Sequence, residues 1–277
     1  MNFTILSENR GNDCFLGEGG LSVYIEVNGH IFLLDTGYSS LFLENASKLN
    51  IDVDAIDTVV LTHGHSDHTN GVPYLKAGKT IIMHPAAFKE RYSTRKKVFV
   101  GFPMSEEELS AKHNVLLTKD ALEFIDDVYF LGEIPMTVEF EMDGNFSTTL
   151  DDKFTQTDYT EDDSGIAIKT DEGLIIMTGC GHRGICNTIE HAKRVTGESR
   201  VYAVLGGFHL RNLEKQQHKI DETIKYFKDN DIKRLYLGHC VTDEVIDYFR
   251  ENASNIEIET LASGKNFNVF ERKKTNR

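Results

Sequence analysis

The sequence predicts an α/β fold in which mixed sheets carry helices on their outer faces. Three observations lead there. Short runs rich in Val, Ile and Phe recur along the whole chain, at lengths that suit strands. Both halves open with two such runs joined by a tight turn. In the second half, apolar runs alternate with segments of helical period.

In order, "FTIL", "LSVYIEV" and "HIFLLDTG" come first, and Asn28-Gly29 between the last two is a two-residue hairpin signal, since both residues tolerate positive φ. Leu41, Asn45 and Leu49 share one side of a first helix. "TVVLTH" and "TIIMH" are the next strands. Residues 86–160 are the least regular stretch, and "FVGFPMSEEELSAKH" within them suggests an inserted helix or lid on a single domain spanning 1–277. "SGIAIKT" and "GLIIMTGC" then pair through a turn at Asp171-Glu172-Gly173. Ile185, Ile189, Ala192 and Val195 make an apolar helix face in "GICNTIEHAKRVTG", which stops at a glycine. "RVYAVLGGFH" and "RLYLGHC" precede further helices with faces Ile220, Ile224, Phe227 and Val245, Ile246, Phe249, and "NIEIET" and "NFNVF" complete the strands.

Acidic residues outnumber basic ones 44 to 30, a formal charge of −14, which repels nucleic acid unless a basic patch intervenes. The compact basic cluster Arg95 to Lys97 reads as a solvated loop. No run approaches the ~20 apolar residues of a membrane helix, and the start lacks a basic-then-apolar signal, so a cytoplasmic protein with no membrane partner is expected. The four cysteines form no C-x-x-C pair. Cys14 and Cys186 read as packing residues and Cys240 as facing the core.

Polar residues gather at strand ends: Asp35, His63, His84, Cys180 with His182, His209 and His239 each follow an apolar run, where α/β sheets usually place their sites. The densest group is "THGHSDHTNG", in which His63, His65, Asp67 and His68 fall within six residues. A loop leaving a strand can aim His63 and His65 at one ion while Asp67 and His68 turn to a second. Imidazole and carboxylate suit zinc, manganese or iron, and two such ions can hold a bridging hydroxide. Glycines 181 and 184, with Arg183 between them, offer free N–H groups at a helix start that could hold an anion such as phosphate.

"THGHSDHTNG", with "FLLDTG" before it and "IIMHP" after, resembles the metallo-β-lactamase superfamily over nearly the whole chain. The resemblance implies a four-layer αββα sandwich with a dinuclear site between two sheets. It makes Asp35 the aspartate that orients a ligand and His239 a late ligand of the second metal. A closer resemblance, to the dihydropterin–ribofuranosylaminobenzene-phosphate synthase-like branch, lies in "TGCGHRGI", "AVLGGFHL" and "GHCVT". The chain departs from the wider superfamily at two points. Cys180 stands where an aspartate usually bridges both metals, and no histidine lies near Glu161 to Asp163 to complete the first site. His182 is the substitute there, with His209 a further ligand or a hydrogen-bond donor to substrate.

The function implied is a metal-dependent hydrolase whose hydroxide, oriented by Asp67, attacks a small anionic phosphoester or ester, with His209 or Arg183 touching substrate. Two divalent ions, zinc foremost with manganese or iron as alternatives, are the expected cofactors. Alternatives on the same fold are a metal or ligand sensor, a redox di-iron protein and a nuclease. Redox relatives usually carry Glu in place of His65 and a following flavin domain; with His65 in that place, a redox protein is not the expectation. The charge speaks against a nuclease.

Overall fold

The computed structural model describes residues 1–142 and 146–270. Its strands in chain order are β1 (Asn2–Ser7), β2 (Ser22–Val27), β3 (His30–Leu34), β4 (Thr58–Val60), β5 (Thr80–Met83), β6 (Tyr92–Ser93), β7 (Asn114–Leu117), β8 (Leu122–Ile125), β9 (Val128–Phe130), β10 (Thr148–Thr149), β11 (Gly165–Thr170), β12 (Gly173–Thr178), β13 (Val201–Gly206), β14 (Arg234–Leu237), β15 (Glu257–Thr260) and β16 (Asn266–Asn268). The helices are α1 (Leu41–Lys48), α2 (Ser66–Thr69), α3 (Glu106–Ser110), α4 (Ile185–Thr196), α5 (Leu213–Asp229) and α6 (Asp243–Asn252). Among the described residues, two mixed sheets of seven strands form, ordered β16-β1-β2-β3-β4-β5-β7 and β15-β14-β13-β12-β11-β9-β8.

Three apolar layers hold these sheets, and they define the sandwich. Between the sheets, Ile25, Phe32, Leu34 and Val60 meet Ile166, Ile175, Met177 and Leu205. Outside the first sheet, Leu33, Val59 and Ile81 pack on Phe42 and Ala46 of α1 and Leu109 of α3. Outside the second, Leu174, Ile176, Leu235 and Leu237 pack on Ile189, Ile224, Phe227, Val245 and Phe249. In β12 the alternation is exact in register: Leu174 and Ile176 face the helices, Ile175 and Met177 the other sheet. That is why "LIIM" is apolar without interruption. Each fully buried Ile or Phe contributes about 1.5–3 kcal/mol. The four-layer αββα sandwich implied by the sequence is the fold.

The hairpin turns form as expected, with Val27 opposite His30 and Thr170 opposite Gly173. Asn28 and Gly29 take φ of 52° and 78°, the conformation such a turn demands. Residues 86–160 divide among three places: β7 joins the first sheet, β8 and β9 the second, and β6 with β10 makes a separate ribbon. Among the described residues, no helix is long and apolar enough to cross a membrane.

Candidate metal centre

Asp35 follows β3, His209 follows β13 and His239 follows β14, and all three adopt left-handed backbone, with φ of 58°, 51° and 52°. Such conformations cost ~1–3 kcal/mol for non-glycine residues and persist where surroundings fix them. Here they are fixed by hydrogen bonds. The Asp35 N–H donates to Val60 O at 2.9 Å. The His239 N–H donates to the buried carboxylate of Glu8, and its carbonyl accepts from Asn9 Nδ2 at 2.7 Å. The His209 N–H donates to Cys240 Sγ at 3.1 Å, and its carbonyl accepts from Gln216 Nε2 at 3.1 Å. Gly179 is required by close approach, because a Cβ there would lie 2.2 Å from Thr62 Oγ1.

Two groups of side-chain donor atoms that could hold a metal ion result. His63, His65 and His182 form one, and Asp67, His68, Cys180 and His239 the other, each with its donor atoms within 4.8 Å of one another. In the first, His65 Nδ1 is 3.1 Å from His182 Nε2. In the second, His68 Nε2 is 3.0 Å from His239 Nε2 and 3.3 Å from Cys180 Sγ, while Cys180 Sγ is 3.1 Å from His239 Nε2. Asp67 Oδ2 lies 3.5 Å from His239 Nε2.

The opposite ring atoms are held by neighbours. His68 Nδ1 donates to Asp35 Oδ2 at 2.7 Å, and Asp35 also accepts from the Thr62 backbone N–H and hydroxyl, both at 2.8 Å. Thr62 Oγ1 is 3.0 Å from His63 Nδ1, and Asn9 Oδ1 is 3.3 Å from His239 Nδ1. That bonding fixes which nitrogen of each ring is left for an ion. His63 Nε2 is buried with no hydrogen-bond partner among the described residues, an expensive arrangement unless a cation accepts its lone pair. The donor set therefore fits two transition-metal ions.

Burial and the neighbouring imidazoles hold His63, His65 and His209 well below the ordinary histidine pKa. Burial likewise, with His68 beside it, holds His239 down to about 3. Neutral imidazole is the ligating form. His68 is opposite: burial pulls it down, but Asp35 and Asp67 overcome that and raise it to about 9. Burial drives the Cys180 thiol well above its usual value, so a cation at this position must displace its proton.

A buried network unseen in the sequence supports the first group. Arg91, fully buried, donates from Nε to Asp158 Oδ2 at 2.7 Å and from Nη2 to Asp162 Oδ1. Asp162 Oδ2 accepts the Gly64 N–H at 2.7 Å, inside the histidine loop. Asp158 Oδ2 accepts from Thr148 Oγ1 at 2.9 Å and lies 3.9 Å from His65 Nε2.

Other residues land away from their expected places. Arg183 donates its guanidinium to the carbonyls of Ile134 and Tyr159, and Arg211 lines the cavity over the metal-binding groups instead. The start of α4 holds no open anion site, because Glu141 accepts from the N–H groups of Cys186 and Asn187 at 3.1 and 2.8 Å. Cys14, expected to pack, is exposed, whereas Cys240 is buried as expected and also lines the cavity. Arg95, Lys96 and Lys97 are exposed as expected of a solvated loop, and Lys96 also lines the cavity. His209 sits at the cavity wall, its ring 4.5 Å from that of His182.

Residues 16–142 match the family described as the metallo-beta-lactamase superfamily. The chain is 30% identical over 282 residues to the 7,8-dihydropterin-6-methyl-4-(beta-D-ribofuranosyl)-aminobenzene-5'-phosphate synthase of Methanocaldococcus jannaschii, across 95% of this chain and 94% of that one. Its structure is similar to that of a metal-dependent hydrolase of the beta-lactamase superfamily, at 26% identity and a TM-score of 0.83, covering 97% of this chain and 98% of the other. A diphosphatase from the PhnP family shares the fold at a TM-score of 0.53 and 14% identity, over 98% of both chains. Likeness at this level along nearly the full length of two proteins makes this chain a member of the metallo-beta-lactamase superfamily.

Proposed function

We propose that the protein is a metal-dependent hydrolase of small anionic esters, with phosphoesters the leading class. What supports this most is the convergence of two metal-binding groups on one cavity of about 510 Å³ whose wall also carries His209 and Arg211. His63, His65 and His182 would hold one divalent ion, and Asp67, His68, Cys180 and His239 the other. Imidazole, carboxylate and thiolate together favour zinc, with manganese or iron as alternatives. Bound there, such ions supply Lewis-acid stabilisation and a water acidified towards pH ~7.

The chain's own residues do the rest. Asp67 lines the cavity with about a third of its side chain exposed (32%), so its carboxylate can orient a water and accept its proton. His209, neutral for the reasons given above, can hydrogen-bond a substrate oxygen without adding charge. Arg211 supplies a permanent positive charge for an anionic group. A net charge of −14 favours a small substrate over nucleic acid. The similarity to a metal-dependent hydrolase agrees with this reading. The 30% identity to a synthase favours one alternative, transfer to an acceptor other than water in the same site.

The test is metal content followed by a panel of phosphoesters and carboxylic esters with the metal-loaded protein. Up to two transition-metal ions per chain and turnover of a phosphoester are expected. Failure to bind metal, even when it is supplied, refutes the proposal. Turnover that requires an added acceptor selects the transferase alternative.

A further inference from the structure

We infer that Cys180 and Cys240 form an oxidisable dithiol, and that the disulfide between them takes a ligand away from the second metal-binding group. The inference gives the site of the proposed function a redox control, and rests on that function for the metal alone. Among the described residues three free cysteines are buried, Cys180, Cys186 and Cys240. Cys186 packs in the apolar layer outside the second sheet, the usual place of a buried thiol. Cys180 and Cys240 belong to none of the three apolar layers and line the cavity instead.

The sheet brings the two together by leaving out a side chain. Cys180 lies just beyond β12 and Cys240 just beyond β14, with β13 between those strands. Neighbouring strands are ~4.8 Å apart, so a side chain on the middle one would ordinarily separate thiols on its two flanks. The residue that follows β13 is Gly207. A Cβ there would lie 2.4 Å from Cys240 Sγ and 2.8 Å from Gly179 O. With none present, the two thiols come into hydrogen-bond contact with each other. Cys240 Sγ is also 3.3 Å from the Cys180 carbonyl oxygen.

Cys240 has no part in the chemistry proposed above, yet its sulfur is well supplied with polar partners. It accepts from the His209 N–H at 3.1 Å, and the Arg211 guanidinium donates to it. Such partners beside an open cavity distinguish a cysteine that reacts from one that only packs. Cys180 Sγ is 3.3 Å from His68 Nε2 and 3.1 Å from His239 Nε2, inside the second metal-binding group. One sulfur of the pair is therefore a candidate ligand, and the other stands next to it without being one.

The oxidant is a peroxide, small enough to enter the cavity. The Cys240 sulfur attacks one peroxide oxygen and the O–O bond breaks. The second oxygen leaves as water, taking the thiol proton, and Cys240 becomes a sulfenic acid. The Cys180 sulfur then attacks the Cys240 sulfur, and the sulfenic oxygen departs as water with the Cys180 proton. Two thiols have lost two hydrogens, and one peroxide has become two waters. In the disulfide the sulfurs close to ~2.05 Å, and Cys180 has no thiolate to offer. The second group is reduced to Asp67, His68 and His239. An ion already bound to that thiolate would shield it, so metal loading and oxidation exclude each other.

The experiment treats the metal-free, full-length protein with hydrogen peroxide. Its cysteines are mapped by mass spectrometry after proteolysis without reductant, and zinc uptake is measured before and after. A peptide pair linked through Cys180 and Cys240 is expected. Zinc uptake should fall by about one ion per chain, and dithiothreitol should restore it. Protein loaded with zinc beforehand should resist the link. Cys240→Ser should abolish the link and the reversible part of the loss, because Cys180 then has no thiol to close on. No linked peptide in the wild type, or a link that leaves zinc uptake unchanged, overturns the inference. Reduced protein that takes up no zinc refutes the proposed function; the linked peptide then decides the dithiol by itself, which stands if it forms and falls if it does not.

Discussion

Replacing Asp35 by Asn tests how the second metal-binding group is held together. One Asp35 oxygen accepts the Thr62 backbone N–H, and the other accepts the Thr62 hydroxyl and His68 Nδ1–H. Asparagine turns one of these acceptors into a donor, so whichever way the amide is turned, a donor meets a donor. The charge is lost as well. Asp35 and Asp67 together lift His68 from 6.5 to about 9 against the effect of burial, a rise that corresponds to about 3 kcal/mol of stability at full effect. The sign follows from a histidine whose folded pKa is raised: the contribution is complete below pH 6.5 and is lost as pH rises through about 9. Urea unfolding of the metal-free protein should therefore show the largest gap between wild type and Asp35→Asn near pH 6. The gap should shrink towards pH 9.5, leaving ~1–3 kcal/mol for the mismatched hydrogen bonds. Zinc affinity should fall ~10–100-fold, because the His68 ring is no longer turned to offer Nε2. A gap that does not change with pH, together with unaltered zinc affinity, would refute this account.

Arg91→Lys keeps a charge but cannot bridge Asp158 and Asp162 together. Breaking a buried ionic network of this kind costs ~3–5 kcal/mol, and the ion held by His63, His65 and His182 should be lost before the other, which metal stoichiometry during dialysis would reveal. Cys180→Ser should lower metal occupancy while Cys180→Asp restores it better than Ser; identical stoichiometry in all three proteins, with unchanged melts, would make Cys180 a packing residue. Anisotropy titrations with RNA and DNA at physiological salt should give no sub-micromolar binding, and tight binding would revive the nuclease alternative.

The periodic elements were readable in the sequence because their causes are local. The Asn28-Gly29 turn, the α4 face of Ile185 and Ile189 and the glycine that ends it needed no distant partner. So was the gathering of polar residues at strand ends, since an apolar run that stops at histidine states both the strand and its exit. Arg91, Asp158 and Asp162 were not readable: ions buried against one another across some seventy residues look like ordinary surface charges in a sequence. Glu141 was missed at the start of α4 for the same reason, and so the glycines there suggested an external anion. Cys240 is buried as its apolar character suggested, but that it also lines the cavity was not readable from a cysteine beside a histidine.

The placement of β16 beside β1, with Phe267 stacked on Phe3 at 5.0 Å, bears on how the protein is made. A ribosome delivers β1 first and β16 some 260 residues later, a delay of roughly 13–50 s at ~5–20 residues per second. Throughout that interval the outer edge of β1 lacks its partner strand, and Glu8, whose carboxylate accepts the His239 N–H, waits almost as long. The nascent first sheet is therefore a half-finished template with an open border, the condition under which strands recruit the wrong neighbour. Cells making this protein faster than its tail can return would be expected to lose it to aggregates whose contacts begin at β1.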